Sequence, residues 1–228
     1  MLNIIREKEF YRSLKKIAFP LAMQNLISVG VAMTDTVMLG RLGETAISAS
    51  ALANQLFFIF TFALFGLSGG TIVLCAQYWG KGDRKTISKI MGITLRFSLS
   101  IAVVFTGIGL IFSKEFMTLY TKDPGVIAGG VSYLHFVAPS YLFSAVTVIY
   151  LAVQRSMENV RISLVTSMTS FLVNVVLNSI FIFGLWGMPA MGVAGAALGT
   201  LIARGVELTI ALVYQVFINK RFHFYFHH

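Results

Sequence analysis

An all-α polytopic membrane fold, with six transmembrane helices and both ends cytoplasmic, is predicted by three observations. Of the 228 residues, 57% are hydrophobic and only 12% charged, whereas soluble domains carry about 25% charged residues. Apolar runs long enough to cross a bilayer, which takes about 20 residues, recur six times with polar stretches between them. Lys and Arg favour one set of alternate connections, 13 against 3, and Arg96 and Arg204 fall inside runs. The richer set, which includes both ends, marks the cytoplasmic face.

That placement also accounts for the net charge of +9, so the lipid bilayer is an expected partner and nucleic acid is not. The single cysteine, Cys75, lies in an apolar run, which excludes a disulfide framework and a Cys-based metal site. No catalytic cofactor is expected.

Residues 1–16 interleave Arg6, Lys8, Arg12, Lys15 and Lys16 with apolar side chains, as in a short amphipathic surface helix or a basic anchor. The first span covers residues 17–40, with Pro20 in its opening turn, where proline is tolerated. Asp35 is its only acid. A carboxylate at the bilayer centre costs about 2.5–3.5 kcal/mol on insertion scales and usually faces a protein interior or a wet cavity. The alternative is that Asp35 reaches the outer headgroups. Gln24, Ser28 and Asp35, at offsets of 4 and 11, fall within about 40° of one another on a helix. A stripe ending in a carboxylate suits a cavity wall better than a lipid face.

The second span, 46–79, has a polar outer end at Asn54 and Gln55 and a Gly66/Gly70 pair spaced for close helix contact. Trp79 suits an interfacial anchor. Arg96, near the start of the third span (90–112), can snorkel to the headgroups. A loop over 113–123 ends in Asp123-Pro124, an N-cap followed by proline at the first helical position. The fourth span, 125–153, contains Pro139, which predicts a kink. After a polar loop over 154–161, the fifth span (162–186) carries Asn174 and Asn178 one turn apart on one face. The sixth, 192–218, opens with small residues and contains Arg204 and Glu207 at i,i+3.

Several constellations invite chemistry. Residues 66–70 match G-x-S-x-G, and an intramembrane serine protease would need a base near Ser68. The histidines are His135, His223, His227 and His228, none in the sixth span where that protease family keeps its base. Helix packing therefore explains the motif better, and an aromatic interface segment explains the histidine tail better than a metal site does. Arg204 and Glu207 fit either a functional pair or a structural ion pair. Asp35, Asn174, Asn178 and the segment holding Ala196 and Thr200 supply oxygen donors suited to a hard cation such as Na⁺, or to a titrating carboxyl. Gln24, Ser28, Asn54 and Gln55 are the candidates for a substrate cavity.

The order of short motifs resembles the N-terminal half of the multidrug and toxic compound extrusion (MATE) transporter family. The matching stretches are Pro20-Leu21, Asp35-Thr-Val-Met-Leu-Gly40-Arg-Leu-Gly43, Gly66-Leu-Ser-Gly-Gly-Thr71 and Gln77-Tyr-Trp-Gly80-Lys-Gly-Asp83. Asn174-Val-Val-Leu-Asn178, Ile182-Phe-Gly184 and Gly192-Val-Ala-Gly-Ala-Ala-Leu-Gly-Thr200 follow. The resemblance implies a multi-pass protein of the plasma (inner) membrane, not an enzyme. It implies an antiporter in which inward Na⁺ or H⁺ drives export of amphipathic, often cationic small molecules. Asp35 and Asn174 match members of the family's cation or proton site, and Thr200 and the Ala196 carbonyl match its contributors from the sixth helix. Asn178 stands where relatives often have Asp, which removes one negative charge.

The family pairs two six-helix lobes. Residues 17–219 would form one of them, and 220–228 would start the linker to the second. The expected partner is thus a second six-helix lobe, either a missing C-terminal half or, less favoured, a second copy. A lipid-linked oligosaccharide flippase of the same broad superfamily is the alternative; such a cavity would carry more basic residues than Arg204 and Arg96 supply.

Overall fold

The computed structural model describes residues 8–218, and these are almost entirely helical. Helix α1 runs unbroken over Lys8–Gly40, so the boundary expected at residue 16 falls inside a helix. Residues 1–7, the linker expected over 220–228 and the three tail histidines lie outside the described residues. Helices α2 (Glu44–Gly80) and α3 (Arg84–Ile111) follow, joined by tight turns. The connection expected over 113–123 contains a short helix, α4 (Ser113–Thr118), which buries Met117. Then come α5 (Pro124–Val137), α6 (Ser140–Ser156), α7 (Arg161–Phe183) and α8 (Val193–Val213), the last continued by a π-turn over Tyr214–Ile218.

Local chemistry sets these boundaries. At the head of α3 the Asp83 carboxylate accepts from the Thr86 hydroxyl at 2.6 Å and its backbone N–H at 3.0 Å. These bonds hold the Asp83 carboxyl below the usual carboxylate range. Asp123 caps α5 by accepting from the N–H groups of Gly125 at 2.7 Å and Val126 at 3.3 Å, with Pro124 opening the helix. Both are expected caps. At Pro139 the chain bends by 52° between α5 and α6, the predicted kink, and the Thr106 hydroxyl donates to the Ala138 carbonyl there at 3.1 Å. Helix α7 stops before the fifth span's expected end because Gly184 turns left-handed at φ 71°.

Among the described residues four helices, α2, α3, α7 and α8 with its extension, are long and apolar enough to cross a membrane; α5 and α6 together make a fifth, bent span. The first expected span, 17–40, lies within α1, which is not one of these. Large apolar side chains such as Phe62, Phe97 and Ile111 are exposed, as an outer surface solvated by lipid requires.

Helix α7 packs along α8 on one side and α1 on the other, while α2 packs on α3, α5 and α6. One core gathers Phe60, Leu64, Leu134, Ala138 and Tyr141, with the Phe60 and Tyr141 rings stacked at 5.1 Å. A second gathers Cys75, Ile87, Met91, Leu95 and Ile149; Cys75 is the buried free thiol expected of it. The close contact expected at Gly66 and Gly70 is absent: a Cβ built on either meets nothing within 4 Å. Helix α2 buries the stripe through Leu64, Ser68, Thr71 and Cys75, and neither glycine lies on it. Close approach occurs instead where Gly109 meets Ala138, Gly129 meets Ala49 and Gly195 meets the Phe181 carbonyl.

Candidate functional site

The fold sets Asp35 of α1 beside α7 and α8. Asn178, fully buried, donates from Nδ2 to the Asp35 carboxylate at 2.6 Å and to Asn174 Oδ1 at 3.1 Å. Asn174 in turn donates to the Thr200 hydroxyl at 3.2 Å. One hydrogen-bonded chain thus links Thr200, Asn174, Asn178 and Asp35 across three helices. Asp35 also lines the large cavity, so its carboxylate points into the protein and not to the outer headgroups. The bond it accepts is of the short, charge-assisted kind.

The two donor hydrogens of the Asn178 amide are spent on these bonds, whereas its Oδ1 is buried with no partner and lies against Gly199. Carboxylate, amide and hydroxyl oxygens therefore lie along one hydrogen-bonded chain, with the Asn178 oxygen unsatisfied. Such a set matches a hard monovalent or divalent cation, and the carboxylate alone can take a proton. Ala196 lines the cavity beside this cluster.

The cavity has a volume of about 830 Å³ and is walled by α1, α2 and α5 to α8. Ser28, Asn54 and Gln55 line it as expected, and Asn54 accepts from the Tyr133 hydroxyl at 3.3 Å. Gln24 does not line it; its side-chain amide donates to Ser167, which does, at 3.1 Å. Phe57, Phe65 and Phe171 supply aromatic wall. Arg204 and Glu207 also line the cavity, paired at 2.9 Å, with the Arg204 guanidinium 5.7 Å from the centre of the Phe57 ring.

Arg155 lines the cavity as well. The sequence places it in a polar loop, because its neighbours are hydrophilic; in the structure it belongs to the last turn of α6. Its position eleven residues after Ser144 was the available signal, since that offset shares a helix face.

Ser68, the serine of the G-x-S-x-G match, donates to the Phe65 carbonyl at 3.0 Å. His135 sits elsewhere, 3.3 Å from Ser113 Oγ and 3.2 Å from the Leu110 carbonyl. Among the described residues no histidine contacts Ser68.

The chain is 29% identical over 216 residues to the probable multidrug resistance protein NorM of Thermotoga maritima, matching 94% of this chain and 46% of that protein. It is 27% identical over 214 residues to the probable multidrug resistance protein YoeA of Bacillus subtilis, matching 93% and 46%. The chain thus spans about half the length of these curated relatives. Its fold superimposes with a TM-score of 0.82 on the outward-facing conformation of a multidrug resistance MATE family transporter of the MOP superfamily. That match has 19% identity and covers 91% of this chain and 45% of the other. Residues 20–180 match the MatE family model, and with the fold and the helix order in agreement, the chain belongs to the MatE family.

Proposed function

We propose that this chain is the N-terminal lobe of a cation-coupled antiporter that exports amphipathic, often cationic compounds across the plasma (inner) membrane. The observation that carries this reading is the Asp35–Asn178–Asn174–Thr200 chain at the wall of a large cavity. A carboxylate among amide and hydroxyl oxygens can exchange Na⁺ or H⁺, and the adjoining aromatic wall can receive an apolar body. Coupling follows if ion binding at Asp35 reorders the bonds to Asn178 and so reshapes the cavity. A second six-helix lobe would complete the cavity, with the two lobes rocking about a shared centre as in repeat-built transporters. Curated relatives are named as multidrug resistance proteins, which does not favour the flippase alternative. The bond from Ser68 to its own helix favours no protease.

Two measurements test this reading. In the complete transporter reconstituted in liposomes, an imposed Na⁺ or pH gradient is expected to drive movement of a cationic dye, and movement indifferent to both gradients would overturn ion coupling. We further propose that both ends of this lobe are cytoplasmic, on the 13-to-3 distribution of basic residues. Cysteines introduced at Glu44 and Lys122 should then label from outside, and those at Asp83 and Glu158 from inside. The reverse pattern rejects that orientation.

A further inference from the structure

The charged residues lining the cavity are Asp35, Glu207, Arg204 and Arg155. Three of them are engaged: Asp35 accepts from Asn178, and Arg204 pairs with Glu207. Arg155 is not. Among the described residues no acidic side chain pairs with it, and its Nε is shut off from solvent without a hydrogen-bond partner. On the same helix Ser144 also lines the cavity, is only 5% exposed, and has a buried hydroxyl without a partner.

These groups belong to one stripe. Ser144, Val148 and Arg155 all line the cavity, and their offsets of 4 and 11 keep them within about 40° of one another. Ser144 and Arg155 are separated by about 16 Å along the axis. Long side chains on a helix lean toward its N-terminus, so the arginine leans toward Ser144. The stripe thus presents donors that the lobe itself leaves unmatched, and a buried donor left unsatisfied is costly. A guanidinium fork matches the planar oxygens of a carboxylate or the oxygens of a phosphate.

We infer that Arg155 binds one anionic group of an amphiphile whose apolar body lies on the aromatic wall. This deepens the transport reading and rests on it for the claim that the occupant is substrate. Two sources share the chemistry: a carboxylate or sulfonate on an exported compound, and the phosphate of a lipid headgroup.

The test compares tetramethylrhodamine free acid, a zwitterion, with its methyl ester, a cation. Binding of each to the purified complete transporter in phosphatidylcholine nanodiscs is read by fluorescence polarisation. The wild type should prefer the acid. Arg155→Gln should lower the acid-to-ester affinity ratio about tenfold, on the scale of one hydrogen bond to a charged group. Arg155→Lys should retain part of the preference, since it keeps the charge and loses the fork. Equal losses for the two dyes in Arg155→Gln, or a wild type that prefers the ester, would overturn the inference. Repeating the titration in phospholipid-free maltoside micelles separates the sources. Tighter acid binding there in the wild type but not in Arg155→Gln identifies the lipid phosphate as the occupant in the bilayer, and an unchanged acid-to-ester ratio identifies the compound's own anion. Gradient-driven movement of the ester, measured separately in liposomes, tests the transport reading; its failure would leave the affinity ratio standing.

Discussion

Replacing Asp35 by Asn in the complete transporter should reduce ion-driven efflux to background while leaving insertion and expression near wild type. Asparagine has nearly the same shape and can still accept from Asn178, so the helix contact survives. What disappears is the negative charge that the cluster offers to a cation. The bond between Asn178 Nδ2 and the carboxylate is 2.6 Å long, and hydrogen bonds to a charged group contribute about 1.5–3 kcal/mol. A cation that exchanges a charged oxygen for a neutral one gives up an interaction of at least that scale, about tenfold to hundredfold in affinity. Thr200→Val should be milder, since it removes one neutral donor–acceptor from the far end of the chain. The assay is gradient-driven dye movement in liposomes at matched protein content. Wild-type rates in Asp35→Asn would remove Asp35 from coupling.

The features legible in the sequence are those that local chemistry decides. Asp123-Pro124 gives an N-cap and a first helical turn from two adjacent residues, and both appear in the structure. Pro139 bends its span because a missing N–H is a property of one residue. Asn174 and Asn178 share a face at i,i+4 spacing, and in the structure they are hydrogen-bonded to each other.

Features that depend on which face meets which neighbour were not legible. Gly66 and Gly70 have the spacing of a packing motif, yet α2 turns its Leu64–Ser68–Cys75 stripe inward and leaves them uncontacted. Arg155 looks like a loop charge beside Gln154 and Ser156, and only the angle between α6 and its neighbours brings it to the cavity. Gln24 shares the helical stripe of Ser28 and Asp35, but Ser167 intercepts its side chain before the cavity. Periodicity assigns residues to a face; the rotation of that face belongs to the packed bundle.

The small residues at the start of α8 separate packing from coupling, and two neighbouring glycines should differ in their transport response to alanine. A Cβ on Gly195 would stand 2.5 Å from the Phe181 carbonyl oxygen and 3.0 Å from the Ile182 nitrogen. Both atoms are backbone of α7, so the two helices must separate by roughly 1 Å to restore van der Waals contact. Overpacking of this kind costs about 1–3 kcal/mol, and the separation would also loosen the surface that α7 shares with α8. Gly195→Ala should therefore lower thermal stability by several degrees, read by size-exclusion recovery after heating, with dye efflux falling only in proportion to folded protein. A Cβ on Gly199 instead meets Asn178 Oδ1, which is the end of a side chain and can rotate away. Rotation carries the amide nitrogen from the Asp35 carboxylate and breaks the chain that runs to Thr200. Gly199→Ala should thus move dye about tenfold more slowly per folded protein under the same gradient, on the scale of one lost charge-assisted bond. The double variant Gly199→Ala with Thr200→Val should be no slower than Gly199→Ala alone, because both act on one hydrogen-bonded chain. A rate per folded protein equal to that of Gly195→Ala, or an additive loss in the double variant, would show that Gly199 acts through packing and not through Asn178.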